Sequence, residues 1–218
     1  QNVLIDRDYR NYGIFNNLVI KSNKLVNKHH GISFPNDKSF KAFINNKWSE
    51  KYKINLYKKS LSKKNNTKLK YKKIDLFLDT HEDVWRDSVK KECDIFPSKS
   101  YLNWRYFIKP NTKYNCFEFY ENNILKGFFI FKFYFNIGHI CQITGDKKYF
   151  NDNLKFIENY FIENGVDKIS LWSGKKNNNI LKILNFNKEQ LEENFILKKL
   201  KFFNKTKFNI GMHYSDVY

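Results

Sequence analysis

The residues with the most chemical content stand at the start of the chain. Val3-Leu4-Ile5 is a short apolar run, and Arg10-Asn11-Tyr12-Gly13-Ile14-Phe15 leads from it into a helical period. A glycine at a strand-to-helix turn lets the backbone approach a ligand closely. The helix start then offers N–H groups without intrahelical acceptors and the positive end of a dipole, which together suit a phosphate. Arg10 adds a full charge at the same place. The same residues also describe an ordinary strand–helix turn with a convenient glycine, and spacing alone does not separate the two. A second cluster, Leu102-Asn103-Trp104-Arg105-Tyr106, also has two readings. It is a substrate-facing Trp104/Arg105/Tyr106 group, or Trp104 and Tyr106 are core and Arg105 is tied to a local carboxylate. His29 and His30 titrate near neutrality, but as isolated histidines they read as surface residues. Cys93, Cys116 and Cys141 are odd in number and form no C-x-x-C pair, so neither a disulfide framework nor a zinc site is expected.

Hydrophobic periodicity supplies the elements that must position these residues. Ile14, Leu18 and Leu25, with Phe15, Val19 and Val26 beside them, predict an amphipathic helix from Gly13 to Lys28. Gly31–Phe34 reads as a strand, and Pro35-Asn36-Asp37 opens a helix to Asn46 with Asn36 or Asp37 as its cap. Lys51–Leu61 is strand-like, and the polar run Ser62–Lys73 reads as a connection between domains. A helix near Thr80–Cys93 precedes three strands: Cys116–Glu121, Leu125–Phe135 and His139–Thr144. The first two are joined by the Asn122-Asn123 turn. Phe150, Leu154, Ile157 and Phe161 mark a helix ending at Asn164-Gly165. A strand at Ile169–Trp172, a short helix at Lys175–Leu184 and strands near Phe195–Leu200 and Phe208–His213 follow. The order predicts a mixed α/β fold.

Composition narrows the function classes. The chain has 218 residues, 41% of them hydrophobic, with 3 Pro and 8 Gly, which excludes disordered and collagen-like chains. The net charge of +18 invites a nucleic-acid reading. Against it, only Arg7, Arg10, Arg86 and Arg105 carry the bidentate fork that recognition surfaces favour, and the rest of the excess is Lys. Lys, Asn, Phe, Tyr and Ile are what A/T-rich codons encode, so the charge argues little for nucleic acid. The most apolar stretch, Ile124–Cys141, is interrupted by Lys126, Lys132, Asn136 and His139. It reads as paired strands and not as a membrane span. No secretory leader is read, and the expected location is the cytoplasm.

The segment Arg10-x-x-Gly13-x-Phe15 resembles the acyl-CoA-binding motif of the GNAT superfamily of N-acetyltransferases. That motif runs Arg or Gln, two residues, Gly, one residue, then Gly or Ala, and here Phe15 stands at the last small position. Downstream, Asn36, Ser39, Phe43 and Lys47-Trp48 take the places of the family's Asn, small residue, Tyr and Gly-Phe. The Trp104-Arg105-Tyr106 segment is similar to a signature of tandem GNAT proteins. The resemblance implies an α/β (α+β) fold of GNAT-like mixed sheets flanked by helices, in two tandem units. Residues 1–61 would be the C-terminal half of an acyl-CoA-binding domain, 62–73 a Lys/Asn-rich connection and 74–218 a second GNAT-like domain. The opening strands of the first unit are expected before Gln1 or from another chain, and the second domain is expected to fold alone.

By the same resemblance, acetyl-CoA is the co-substrate and no metal takes part. The backbone N–H groups of Asn11, Tyr12, Gly13, Ile14 and Phe15 would cradle the pyrophosphate, with the charge of Arg10 beside it. Leu4, Ile5 and Asn36 would meet the pantetheine arm. Phe43 lacks the hydroxyl of the family's common general acid, so neither acid nor base is named. The acceptor is expected to be a small-molecule amine, an amino sugar being one candidate. The second unit has Gly145-Asp146-Lys147-Lys148-Tyr149 where a cradle would stand, and no CoA is expected there. The competing readings are a Fem-type aminoacyl transferase fed by charged tRNA, which Arg10…Gly13 counts against, and a non-catalytic GNAT-like or basic binding module.

Overall fold

A computed structural model describes residues 5–25, 31–88, 97–174, 179–198 and 212. One eight-stranded sheet organises them. Its strands are β1 (Gly31–Ser33), β2 (Trp48–Ser60), β3 (Lys70–Ile74), β4 (Asn115–Glu121), β5 (Ile124–Tyr134), β6 (Ile137–Gly145), β7 (Lys168–Ser173) and β8 (Asn187–Lys198). The order across the sheet is β1-β8-β2-β7-β6-β5-β4-β3. Every neighbouring pair is antiparallel except β6 and β7. The helices are α1 (Ile14–Leu25), α2 (Asp37–Asn45), α3 (Asp79–Ser88), α4 (Lys99–Asn103), α5 (Phe150–Glu163) and α6 (Asn179–Ile183). The mixed sheet flanked by helices is the architecture expected from the sequence.

Strand alternation divides the core between the two faces. Ile54, Leu56, Cys116, Phe128, Ile130, Trp172, Phe195 and Leu197 form one cluster with Phe77 and Trp85, beneath α3 and α4. Phe117, Phe119, Phe129, Phe131, Ile169 and Leu171 point the other way and pack with Leu154, Ile157 and Phe161 of α5. A third, smaller cluster joins Val19 of α1 to Trp48 and Ile196, with Phe15, Phe40 and Phe43 against it. Most predicted elements lie within a few residues of their observed bounds. The Asn122 and Asn123 turn has φ of 52° and 62°, the left-handed pair that a two-residue hairpin requires. Helix α5 ends at Gly165 with φ +74°.

Two findings differ from the sequence expectation. Lys70–Lys73, read as connection, belong to β3, which pairs with β4 at the edge of the sheet. Tyr71 points inward to stack on Phe156, with ring centroids 4.0 Å apart, while Lys70 and Lys72 face solvent. Lysines on an edge strand discourage pairing with other chains. More consequentially, among the described residues the first 61 build no sheet of their own. β2 lies between β7 and β8, and β1 pairs with β8. Val3, Leu4, His29, His30, Cys93 and the strand expected near Phe208–His213, apart from Met212, lie outside the described residues.

Candidate functional site

The Arg10–Phe15 turn stands on the surface at the start of α1. Asp6 opens a short 3-10 turn (Arg7–Tyr9), accepting from the Asp8 N–H at 3.1 Å. Arg10 Nε donates to the Ile5 carbonyl at 3.1 Å, which folds the segment back on itself. Asn11 and Gly13 both have left-handed backbone, with φ of 71° and 72°. The first helical bond runs from Asn17 N–H to the Gly13 carbonyl, 3.0 Å. The amides of Ile14, Phe15 and Asn16 therefore have no acceptor one turn back. No acidic residue occupies this first turn, and a Cβ added at Gly13 would meet nothing within 4 Å. This open, positively polarised helix end fits a phosphate-bearing ligand. Leu4 lies outside the described residues.

Asn36 and Phe43 serve local structure. Asn36 caps α2: its Oδ1 accepts from the Ser39 N–H and the Ser39 hydroxyl, each at 3.0 Å. Phe43 packs edge-on against Phe15 and Trp48, with centroids 5.6 Å and 5.0 Å away. Trp48 Nε1 donates to Asn23 Oδ1 at 2.8 Å, tying β2 to α1. Lys47, at the position of the family's Gly, has a φ of 64°.

Trp104, Arg105 and Tyr106 separate rather than face one ligand together. They lie in a π-helical turn over 104–108, closed by a bond from Lys109 N–H to the Trp104 carbonyl. Trp104 is 49% exposed, whereas Arg105 is 3% and Tyr106 is 4% exposed. The Tyr106 hydroxyl donates to Gln142 Oε1 at 3.4 Å, and Gln142 Nε2 donates to Thr144 Oγ1 at 2.9 Å. Burial drives the Tyr106 pKa far up and pushes Tyr114 up to about 12, so both hydroxyls stay protonated. Burial opposes the Arg105 charge, yet neighbouring Tyr106, Tyr101 and Tyr114 outweigh it and its pKa rises.

This buried polar layer continues along β5, β6 and β7 through Lys132, His139, Gln142, Thr144 and Ser170. Sequence reasoning did not single these residues out as a group. Lys132 and His139 are two of the four polar interruptions of the Ile124–Cys141 run, but nothing in the sequence joins them to Gln142, Thr144 and Ser170. The Arg10–Phe15 turn is not brought into this layer. It belongs to the α1/α2 cluster on Trp48 and Ile196 of β2 and β8, and β7 stands between β2 and β6.

The sheet also opens beside this layer. Parallel strands β6 and β7 pair only at Gly138–Ile169 and His139–Ser170. Beyond them, Ile140–Gly145 pair with β5 and Leu171–Ser173 pair with β2, each on its far side. The facing edges diverge, leaving a split between two parallel strands.

Comparison with solved structures finds this architecture repeatedly. A GCN5-related N-acetyltransferase from Anabaena variabilis superposes with a TM-score of 0.64 at 12% identity, over 90% of this chain and 53% of that one. The fold is that of the GCN5-related N-acetyltransferases. A second such protein, from Kribbella flavida, gives a TM-score of 0.57 at 6% identity, over 90% and 50%. Saccharomyces cerevisiae N-myristoyltransferase with bound myristoyl-CoA gives 0.58 at 11% identity, over 89% and 60%. The chain thus spans about half the length of these two N-acetyltransferases. No family model and no curated protein matches the sequence. Among the described residues, no group of His, Cys, Asp and Glu could hold a metal ion, and no helix is long and apolar enough to cross a membrane.

Proposed function

We propose that this chain is part of a GNAT-superfamily acyltransferase that moves an acetyl group from acetyl-CoA to the amine of a small molecule, an amino sugar being one candidate. The observation that carries the reading is the open helix end at Gly13, set on an N-acetyltransferase fold. The amides of Ile14, Phe15 and Asn16 would hold the pyrophosphate, and Arg10, anchored to the Ile5 carbonyl, would add charge beside it. Holding the thioester in place lets the amine attack in an effectively unimolecular step. Phe43 has no proton to give, so the departing thiolate takes its proton from another group. The turn after β6 supports assigning the donor to the first segment. There Asp146 caps the 3-10 turn Lys147–Tyr149, accepting from Lys148 N–H at 3.0 Å, so a carboxylate sits where a second pyrophosphate would need donors. The buried thiols of Cys116 and Cys141 accord with a reducing, cytoplasmic setting.

Titration calorimetry with acetyl-CoA tests this. Gly13→Glu places negative charge and volume at the open end and should abolish binding. Gly13→Ala carries the same backbone strain without the charge and should bind measurably. Equal affinity in wild type and Gly13→Glu would remove Arg10–Phe15 from the site.

A further inference from the structure

The closed end of the β6–β7 split is fastened by one side chain. His139 lies in the last register pair before the strands diverge, opposite Ser170. The Ser170 hydroxyl lies 2.8 Å from His139 Nδ1, so the joint is bonded through side chains as well as backbone. The ring also donates to the Tyr134 carbonyl of β5. One imidazole therefore ties β5, β6 and β7 together, and both partners of the tie are buried. A neutral ring satisfies both partners when its one N–H donates to the Tyr134 carbonyl and Nδ1 accepts from the Ser170 hydroxyl.

We propose that His139 is a pH-sensitive latch that holds β6 and β7 together where the split ends and lets the split extend when the ring is protonated. Protonation puts a donor on Nδ1, where Ser170 now donates. Ser170 can turn its hydroxyl to accept, but the new cation stays buried. The groups that act on it are Lys132 from β5 and Lys58 from β2, both cationic. The Tyr134 ring stands 6.0 Å away, and Cys141, on the same strand, is held neutral by burial. Hydration relieves the charge, and water enters most readily where strand pairing already ends. Burial and the two lysines hold the ring's folded pKa near 4. An opened ring titrates near 6.5, so the opening equilibrium should rise up to about tenfold per pH unit as the pH falls from 6.5 towards 4.5.

Hydrogen exchange on the full chain, corrected for intrinsic rates, tests the latch. Amides of Gly138–His139 and Ile169–Ser170 should lose more protection over that range than the β4–β5 hairpin, whose His81–Glu118 pair adds an acid dependence of its own. His139→Gln, which can donate and accept without titrating, should abolish that excess. Unchanged protection at 138–139 and 169–170 in the wild type, loss shared equally by the hairpin, or the same excess loss in His139→Gln would each overturn the proposal. The wild-type measurement decides the matter alone if the variant does not fold.

Discussion

Leu56 of β2 stands directly opposite Trp172 of β7, and both belong to the core cluster beneath α3 and α4. Through this pair, the segment carrying the Arg10–Phe15 turn is built into the sheet of the second segment. β2 has a partner on each side, with six register pairs to β7 and nine to β8. Removing it would bare the edges of both neighbours and the apolar contacts of Ile54, Leu56 and Tyr57.

The first prediction follows from that arrangement and runs against the expectation that the second unit folds alone. Residues 62–218 expressed by themselves should show no cooperative thermal transition by near-ultraviolet circular dichroism. Residues 1–61 supplied in trans should restore one. A sharp transition from the fragment alone would show that β2 is dispensable.

How much of this was legible in the sequence depends on the range of the interactions. The Asn122-Asn123 turn, the Asn36 cap and the α5 stripe of Leu154, Ile157 and Phe161 follow from contacts a few residues long. All three were readable. The insertion of β2 between β7 and β8 was not, because its partners lie far along the chain and its pattern (Ile54, Leu56) suits any half-buried strand. The Lys-rich β3 was hidden by the charges that protect an edge. Arg10 and Gly13 were legible as a turn geometry. The Lys132–His139–Ser170 layer was not, because polar residues on three strands become neighbours only once register is set.

A second prediction concerns Lys47, held at φ 64° just after α2. A left-handed conformation costs an L-residue with a side chain about 1–2 kcal/mol, and glycine avoids that cost. The Lys47 charge also helps lower the pKa of Lys198, behind the larger effect of burial. Lys47→Gly should therefore stabilise the chain by about 1 kcal/mol, or roughly 2–4 °C in melting temperature, net of glycine's greater unfolded-state entropy. A lower melting temperature would show that the Lys47 side chain contributes a contact of its own.

A third prediction is an acid limb from His81. The Leu78 N–H donates to its Nδ1 at 2.9 Å, so Nε2 carries the proton and donates to Glu118 Oε2 at 3.2 Å. Burial outweighs the Glu118 carboxylate and lowers the His81 pKa. A histidine with a depressed folded pKa contributes its full stability above the unfolded value of about 6.5, and loses it as pH falls towards the folded value. Urea midpoints should drop from pH 7.5 to pH 5, and His81→Asn, which keeps an acceptor for Leu78, should show a shallower drop. An unchanged slope in that variant would assign the limb elsewhere.

The last prediction tests how the 61–69 segment is fixed to α5. Lys59 Nζ lies 2.6 Å from Glu158 Oε1, and Asn65 Nδ2 donates to Oε2 at 3.2 Å. The Glu158 side chain is 5% exposed and that of Lys59 18%. Truncating one partner of a buried pair strands the other charge, and such changes cost about 3–5 kcal/mol. Lys59→Met should fall at the low end of that range, because Asn65 still donates to the carboxylate and partial exposure lets water help. Adding Glu158→Gln in the same chain removes the stranded charge while keeping an acceptor for Asn65. The double variant should recover most of the loss, and denaturant melts of the four proteins in the cycle measure the coupling. If Lys59→Met costs no more than about 0.5 kcal/mol, the value typical of exposed pairs, solvent already screens the pair. Asn65 and Asn159, bonded backbone to side chain at 2.8 Å and 2.7 Å, would then hold the segment by themselves.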